Sequence, residues 1–350
     1  MRVPKKLILC ADGTWNTPHG VDVAVNDTNV RKMFCALTRD ETQDPFYDNG
    51  VGTNGTPIDR LTAGAMGEAL FQKIQKCYRL LTDAWSPGSS FYLFGFSRGA
   101  YTVRSIGAMI ALFGLPTKNL DNQSAERVFA AYRERDPEKQ AGLKLQLELQ
   151  YDIQEAPVRM IGVWDTVGSR GIPGLFFEMF DEKKYGLLDT ALHPCVQNAY
   201  HAVAIDERRR QFEPTLWTNP DGSERVNDAQ MQQVWFPGVH CDVGGSYSPS
   251  DLSDVPLAWM MRKAMQCGLT FTQKALETYL PVNAQKAKAE AHDEWKLIPW
   301  GIAKHRTVPP RSFIANSVQL RLDQRAGYQP SNLNLSDRQL QGYGTTEVLS

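Results

Sequence analysis

The pentapeptide at positions 95–99, Gly-Phe-Ser-Arg-Gly, places a serine between two glycines in the pattern G-x-S-x-G. The aromatic run 91–96 predicts a buried strand, and a helical stripe of small and apolar residues follows from Ala100. A strand, a sharp turn and a helix in this order are the context of a nucleophile elbow. The flanking glycines let the helix pass close to the strand. We therefore expect Ser97 to be a nucleophile.

A serine nucleophile needs a general base. His240 directly follows the last strong apolar strand, at 234–239, and a loop after a late strand is the place that this kind of fold gives its histidine. The sequence therefore predicts His240 as the base. His305 lies in a basic loop and is a weaker candidate, and His19, in the loop after the first strand, could line the site. Three further histidines are expected to be structural or solvated: His193, His201 and His292.

The third member should be an acid at another strand end, between Ser97 and His240 in the chain. Asp165 closes the apolar run 158–164 and satisfies this requirement. It would accept a hydrogen bond from His240 Nδ1 and hold the ring in one tautomer. Asp242 is the main competitor. Weaker alternatives are Asp181 and Asp206.

An oxyanion formed at Ser97 would need two backbone N–H donors. The amide of Arg98, directly after the nucleophile, is expected to be one of them. The turn Asp12-Gly13-Thr14 follows the first predicted strand, so Gly13 would allow a close approach and the Thr14 amide would be the second donor. Asp12 would line the site. A simple Asp-Gly turn is the alternative interpretation.

The glycine-rich segment 50–55 matches G-x-G-x-x-G, but Pro57 follows where a dinucleotide site would open a helix. We therefore expect this loop to lie beside the catalytic pocket rather than to bind a nucleotide. The six cysteines form no C-x-x-C pair, and no metal-binding motif is present in the sequence. The sequence thus predicts neither a metal nor any other cofactor.

Alternating apolar runs and helical stripes predict the scaffold that would bring these side chains together. The expected fold is α/β and α/β-hydrolase-like, with a doubly wound, mostly parallel sheet, helices on both faces, and loop or helical insertions. We expect one domain over 1–350, an insertion over the active site at 168–232, and a mostly irregular segment packed on the domain at 281–350. The pattern at 191–209 predicts a helix.

The composition excludes several classes of protein. Thirty-eight Lys and Arg residues against 39 Asp and Glu residues give a net charge of −1, which offers no excess of positive charge for a nucleic acid. The longest uncharged apolar run, 106–115, is too short to span a bilayer. No cleavable export signal is recognised, so a cytoplasmic location is the default expectation. Any contact with a membrane would then be peripheral, and no protein partner is predicted.

Several long motifs occur in one order: the segments 11–16, 95–101, 162–168, 204–209 and 235–245, followed by 317–322 and 328–333. Together they resemble a broad bacterial and fungal family of uncharacterised α/β-hydrolases that includes the first class of type VI secretion lipase effectors. The resemblance covers about residues 6 to 335. It implies a lipolytic enzyme with a Ser–Asp–His triad, and motif by motif these roles fall on Ser97, Asp165 and His240.

The sequence therefore predicts a serine hydrolase that cleaves carboxylic esters, with a lipid acyl ester as the favoured substrate. Delivery of the protein by a secretion system would be consistent with the resemblance. Three alternatives stay open: a small-molecule esterase, a non-catalytic binding protein with the same fold, and a nucleotide-dependent enzyme that uses the 50–55 loop.

Overall fold

A computed structural model describes residues 4–13, 24–49, 63–118, 120–121, 123–167 and 190–349, with the backbone alone at 63–66 and 299. Its centre is a sheet of eight strands in the order β8-β7-β6-β5-β4-β3-β1-β2. Every neighbouring pair in this sheet is parallel. The strands are β1 (Lys6–Ala11), β2 (Gln43–Asp48), β3 (Ser90–Phe96), β4 (Val158–Trp164), β5 (Ala199–Ala204), β6 (Met231–Phe236), β7 (Phe313–Ala315) and β8 (Gly344–Thr346).

Helices cover both faces of the sheet. They are α1 (Asn29–Ala36), α2 (Ala63–Ala84), α3 (Arg98–Phe113), α4 (Ser124–Arg133), α5 (Pro137–Gln150), α6 (His240–Gly244), α7 (Asp251–Gln266), α8 (Gln273–Tyr279), α9 (Ala284–Ala287), α10 (Leu297–Trp300) and α11 (Asn316–Gln324). One hydrophobic cluster joins one face to α2, α3 and α4, and a second joins the other face to α1 and α7. The predicted doubly wound α/β fold is confirmed.

The alternation of side chains along β1 shows how the two clusters are separated. Leu7 and Leu9 belong to the first cluster, whereas Ile8 and Cys10 belong to the second, and all four side chains are fully buried. Successive side chains of a strand point to opposite faces, so a strand covered by helices on both sides is apolar throughout. This explains why the apolar run of β1 carries no polar alternation.

Two expectations about the second half of the chain were wrong in part. The segment 191–209 was expected to be helical, but it contains β5, a fully buried strand between β4 and β6. The predicted insertion 168–232 therefore includes a central element of the sheet, and its part 168–189 lies outside the described residues. The segment 281–350, for which a mostly irregular structure was expected, has long stretches outside helices and strands and also adds β7 and β8 to the sheet edge.

Candidate active site

Ser97 lies in a strained turn between β3 and α3, with φ 57° and ψ −122°. A non-glycine residue with positive φ is disfavoured and needs support from its surroundings. Gly95 and Gly99 leave the room that this tight turn needs. A Cβ on Gly95 would lie 2.5 Å from the Gly99 carbonyl oxygen, and one on Gly99 would lie 2.0 Å from the Ala11 carbonyl oxygen. The sharp turn thus requires a glycine on each side of the serine.

Asp165 and His240 meet at the carboxyl ends of β4 and β6, as the parallel order of the strands requires. His240 Nδ1 lies 2.6 Å from Asp165 Oδ2, and both side chains are buried. The Phe96 ring, directly before Ser97, packs on the His240 ring with the ring centroids 4.5 Å apart. The three residues selected from the sequence therefore occupy one neighbourhood.

In the described part of the chain, no hydrogen bond joins the Ser97 hydroxyl to the His240 ring. Ser97 is only 7% exposed, so little of its hydroxyl faces solvent. Catalytic hydrogen bonds of unliganded sites are often long and shorten when the substrate is bound. The His240 ring is thus oriented by Asp165 without a hydrogen bond to the Ser97 hydroxyl.

Arg306 is a site residue that sequence reasoning missed. Its Nη1 donates to Asp165 Oδ1 at 2.6 Å and its Nη2 donates to Oδ2 at 2.9 Å, so the guanidinium holds the carboxylate with both arms. Nη1 also donates to the Ala204 carbonyl oxygen at 2.7 Å. Arg306 is 2% exposed. A two-armed, buried pair of this kind fixes both the position and the charge of the carboxylate.

The backbone around Asp165 is held as firmly as its side chain. Asp165 has φ 39°, in the left-handed region, and its amide donates to the Ala202 carbonyl oxygen at 2.7 Å. The next amide, that of Thr166, donates to His201 Nε2 at 3.0 Å. His201 was expected to be structural, and it is a fully buried side chain of β5 that holds this turn. Burial, followed by the charge of Arg104, lowers the pKa of His201 to about 3.

A second buried ion pair supports His240 from its backbone side. Glu207 Oε2 accepts from the His240 amide at 3.2 Å, and the same carboxylate pairs with Arg209 at 2.7 Å. Phe212 packs against the His240 ring with centroids 4.9 Å apart. The family-like segment 204–209 thus contributes positioning residues that no sequence pattern had assigned a role.

The competing acids have other partners. Asp242 Oδ1 lies 2.7 Å from His292 Nδ1, and Asp242 Oδ2 accepts from the Val239 amide at 3.0 Å. His292, expected to be solvated, is therefore engaged by Asp242. Asp206 accepts from the Gly238 amide at 2.6 Å, and burial raises its pKa to about 6. Asp181 and His19 lie outside the described residues.

The turn after β1 is held by Asp12, which is 1% exposed. Its carboxylate accepts from the Thr28 hydroxyl at 2.6 Å, the Tyr47 hydroxyl at 2.7 Å and the Gly13 amide at 2.7 Å. The Gly13 amide thus donates its hydrogen bond to the Asp12 carboxylate. Thr14, the second oxyanion donor expected from the sequence, lies outside the described residues, as does the 50–55 loop.

The charges of the site favour an ionised acid and a neutral base. Burial alone would raise the pKa of Asp165, but Arg306 and His240 hold it well below its usual range. Burial lowers the pKa of His240 despite the opposing bond and charge of Asp165. A neutral imidazole oriented by an ionised carboxylate is the state in which a histidine can accept a proton from serine.

The residues that the structure describes contain no group of three or more His, Cys, Asp or Glu side chains that could hold a metal ion. Over the same residues, no helix is both long and apolar enough to cross a membrane. Chemically, the arrangement offers a serine hydroxyl, an imidazole oriented by a carboxylate, and the backbone amides at the start of α3.

A parallel sheet that carries a serine elbow at the end of a central strand defines an α/β-hydrolase-like protein. Within this class, the chain belongs to the family described as "T6SS, Phospholipase effector Tle1-like, catalytic domain", whose model matches residues 5–263. The resemblance inferred from the motifs is thereby confirmed. Membership of a phospholipase effector family supports a lipolytic activity.

The proteins compared below share little sequence identity with this chain. An uncharacterized protein of Saccharomyces cerevisiae is 26% identical over 250 residues, which are 61% of this chain and 33% of that protein, so the chain spans about a third of this curated relative. Two solved structures are similar at 17% identity. One is an uncharacterized protein from Pseudomonas aeruginosa, with a TM-score of 0.46 over 83% of this chain and 51% of that one. The other is the Tle1 effector bound to the VgrG spike, with a TM-score of 0.41 over 70% of this chain and 52% of that one.

Proposed function

We propose that this chain is a serine hydrolase that cleaves carboxylic esters of lipids, with Ser97 as nucleophile, His240 as general base and Asp165 as the orienting acid. The observation that carries the proposal is the 2.6 Å bond between His240 Nδ1 and Asp165 Oδ2 beside the strained Ser97 elbow. The lipid substrate class comes from the family, which is described as one of phospholipase effectors. That description also favours delivery through a type VI secretion system.

In the proposed reaction, His240 Nε2 takes the proton of Ser97 Oγ while the oxygen attacks the ester carbonyl carbon. The resulting oxyanion would be stabilised by the Arg98 amide at the start of α3. His240 then gives its proton to the leaving alcohol. A water molecule, deprotonated by the same histidine, releases the fatty acid from Ser97. Asp165 stabilises the positively charged ring during both steps.

Arg306 would act as a positioning residue in this scheme. Because it neutralises Asp165, it keeps the carboxylate ionised in a fully buried place, where a lone charge would be very costly. It also limits how strongly Asp165 can attract a proton to His240. The pair Asp165–Arg306 would therefore orient the base without trapping it in its charged form.

Labelling with a fluorophosphonate probe tests the nucleophile directly, because such probes form a covalent bond with an activated serine. Ser105→Ala is a matched control: Ser105 is buried on α3, and its hydroxyl has no hydrogen-bond partner among the described residues. We expect labelling of the wild type and of Ser105→Ala, and none of Ser97→Ala.

The same three proteins should be compared in the hydrolysis of a short soluble ester and of phospholipid vesicles. Loss of Ser97 should lower turnover by about 10⁴-fold or more, as in other Ser–His–Asp enzymes. Activity on the short ester alone would keep the mechanism and replace the lipid substrate. A folded wild type with neither labelling nor ester hydrolysis would favour a non-catalytic binding protein.

A further inference from the structure

Three large aliphatic side chains project into solvent within one short segment next to the proposed active site. Leu297 is 63% exposed, Ile298 is 85% exposed and Ile302 is 84% exposed. They are three of the nine large hydrophobic residues that are exposed in the described part of the chain. We call Leu297, Ile298 and Ile302 the apolar knob. Such a concentration of exposed apolar surface indicates an interaction site.

The apolar knob is held in a defined shape by its own turn. The Gly301 amide donates to the Leu297 carbonyl oxygen at 2.7 Å, and Trp295 Nε1 donates to the Gly301 carbonyl oxygen at 3.0 Å. Gly301 has φ 72°, a conformation that glycine adopts without strain. The exposed side chains are therefore presented by an ordered turn.

Aromatic contacts connect this turn to the catalytic histidine. Trp300 packs edge-on against Phe212 with centroids 5.5 Å apart, and Phe212 in turn packs against His240 at 4.9 Å. The Arg209 guanidinium lies over the Trp300 ring, 5.1 Å from its centroid. A lipid surface in contact with the apolar knob would thus lie beside the residues that are proposed to cleave the ester.

The charges around the turn favour an anionic partner. Lys296 and Arg210 are exposed, and neither forms an ion pair with any described residue. Of the nearby acids, Asp293 pairs with Arg208, Glu213 pairs with Lys304 at 3.1 Å, and Glu294 is hydrogen-bonded to Tyr247. Apolar side chains, half-buried tryptophans and unpaired cations together are the combination that binds at the interface of an anionic membrane.

We propose that the apolar knob docks the protein on an anionic lipid surface and brings the site around Ser97 to the headgroup region. This inference rests on the proposed lipolytic function, because it assigns the surface from which the substrate would be taken. Leu297, Ile298 and Ile302 enter the acyl boundary, while Lys296 and Arg210 meet the phosphate groups. The ester would then reach Ser97 without leaving the membrane plane.

Vesicle binding tests the surface separately from the chemistry. In a Ser97→Ala background, which leaves lipids intact, co-sedimentation with mixed phosphatidylcholine and phosphatidylglycerol vesicles is compared with and without Ile298→Asp and Ile302→Asp. The matched control carries Leu145→Asp and Leu149→Asp, since these two side chains are 57% and 80% exposed on α5. We expect the knob variant to lose at least about tenfold in partitioning and the control to bind normally.

Two further readouts separate this inference from the proposed function. With Ser97 intact, the knob variant should keep fluorophosphonate labelling and short-ester hydrolysis but lose vesicle hydrolysis. Lys296→Glu should weaken binding to vesicles with phosphatidylglycerol and leave binding to pure phosphatidylcholine unchanged. If the wild type binds vesicles but is not labelled, the proposed hydrolase function is refuted, whereas the proposed docking surface is supported.

The docking surface is overturned if the Ser97→Ala protein fails to bind the vesicles, or if the knob variant binds them as well as its parent does. It is also overturned if the knob variant abolishes a dimer, detected by sedimentation, while vesicle binding stays unchanged. In that case the apolar knob would be a contact between two copies of the chain.

Discussion

Among the described residues, Asp165 accepts four hydrogen bonds, and only one of them comes from His240, the proposed base. Its Oδ1 receives the Ala204 amide and Arg306 Nη1, and its Oδ2 receives His240 Nδ1 and Arg306 Nη2. A buried carboxylate that is fully bonded is stable as an anion. At the scale of single residues, the proposed site is thus better described as a serine, a histidine and an Asp–Arg pair than as a triad alone.

Replacing Arg306 should change the pH dependence of the reaction as well as its rate. In Arg306→Gln, Asp165 is no longer neutralised, so it stabilises the charged ring more strongly and the pKa of His240 rises. We expect kcat/KM to fall by about 10–100-fold at neutral pH, with its acidic limb displaced to higher pH. Arg306→Lys should restore part of both properties.

This prediction is checked by pH–rate profiles of the three proteins on a short ester, with circular dichroism to confirm folding. If Arg306→Gln is folded, its kcat/KM is lowered by the same factor at every pH and the acidic limb of its profile does not move, then Arg306 has a purely structural role. If the glutamine variant does not fold, the lysine variant still decides the question through its profile.

The wild type should keep its kcat/KM at a lower pH than an enzyme whose histidine has an ordinary pKa. Burial lowers the pKa of His240, so the base stays neutral below the ordinary titration range of histidine, which is near 6.5. kcat/KM should therefore rise with pH through an apparent pKa under 6.5 and be level at pH 7. A limb centred above pH 7 in the pH–rate profile would contradict the environment described for His240.

Ser97, Asp165 and His240 could be proposed from the sequence because each directly follows an apolar run, which is a local signal. Arg306 gave no such signal. It lies 141 positions from Asp165, in a loop where the neighbouring His305 was considered as a base instead. A buried ion pair between distant segments depends on the tertiary fold, so neither spacing nor composition could reveal it.

At the scale of elements, the elbow depends on how closely α3 approaches β1. Gly99→Ala would place a methyl group 2.0 Å from the Ala11 carbonyl oxygen, so the helix would have to shift. We expect a loss of about 2–3 kcal/mol in the free energy of unfolding, and loss of fluorophosphonate labelling. Urea denaturation measures the first effect.

Gly142→Ala is the matched control for this experiment. Gly142 lies within α5, and a Cβ there meets no atom within 4 Å. Alanine should stabilise the helix by about 0.5–1 kcal/mol and leave labelling unchanged. Equal stability changes in the two variants would show that the close approach of α3 to β1 is not what requires Gly99.

β5 contributes to acid sensitivity through His201. The buried ring is held neutral, with its pKa lowered to about 3, whereas in the unfolded chain it titrates near 6.5. The unfolded state therefore binds more protons, and stability is lost as the pH falls from 6.5 toward 3, by up to about 5 kcal/mol. His201→Gln, which keeps an acceptor for the Thr166 amide, should flatten this fall.

Urea unfolding of wild type and His201→Gln at pH 7.5 and pH 4.5 provides the measurement. The difference in unfolding free energy between the two pH values should be clearly smaller in the variant. An identical difference in both proteins would mean that His201 is not the group that takes up the proton.

The strands β1, β3 and β4 could be predicted because they form continuous apolar runs that end at turn residues. β5 could not, because its sequence, Ala-Tyr-His-Ala-Val-Ala, combines alanines with a histidine and has no period of its own. Its conformation is set by pairing with β4 and β6 on either side. Tertiary pairing overrides such weak local preferences.

At the scale of the whole molecule, the family match and the folded unit have different limits. The match ends at residue 263, but β7, β8 and Arg306 lie beyond it. A fragment of residues 1–263 would leave Trp235 without its partners Ile314 and Val318 and Asp165 without Arg306. We expect this fragment to show no cooperative unfolding transition and no fluorophosphonate labelling.

Thermal unfolding followed by circular dichroism and fluorophosphonate labelling, with the 350-residue wild type as the control for both, check this expectation. A fragment that melts cooperatively and labels as well as the longer chain would show that the strands and the arginine after position 263 are dispensable for the proposed site.

The strand order has a consequence for synthesis on the ribosome. β3, β4, β5, β6, β7 and β8 stand side by side in the order in which they are translated. Each strand from β4 to β8 can therefore dock on the strand translated before it, and the growing edge of the sheet stays unpaired until translation supplies the next strand. The final edge, β8, has only three residues, which leaves little backbone for another chain to pair with. The turn that contains Ser97 is translated early. Arg306, which pairs with the Asp165 carboxylate, is added only after some two hundred further residues have been joined.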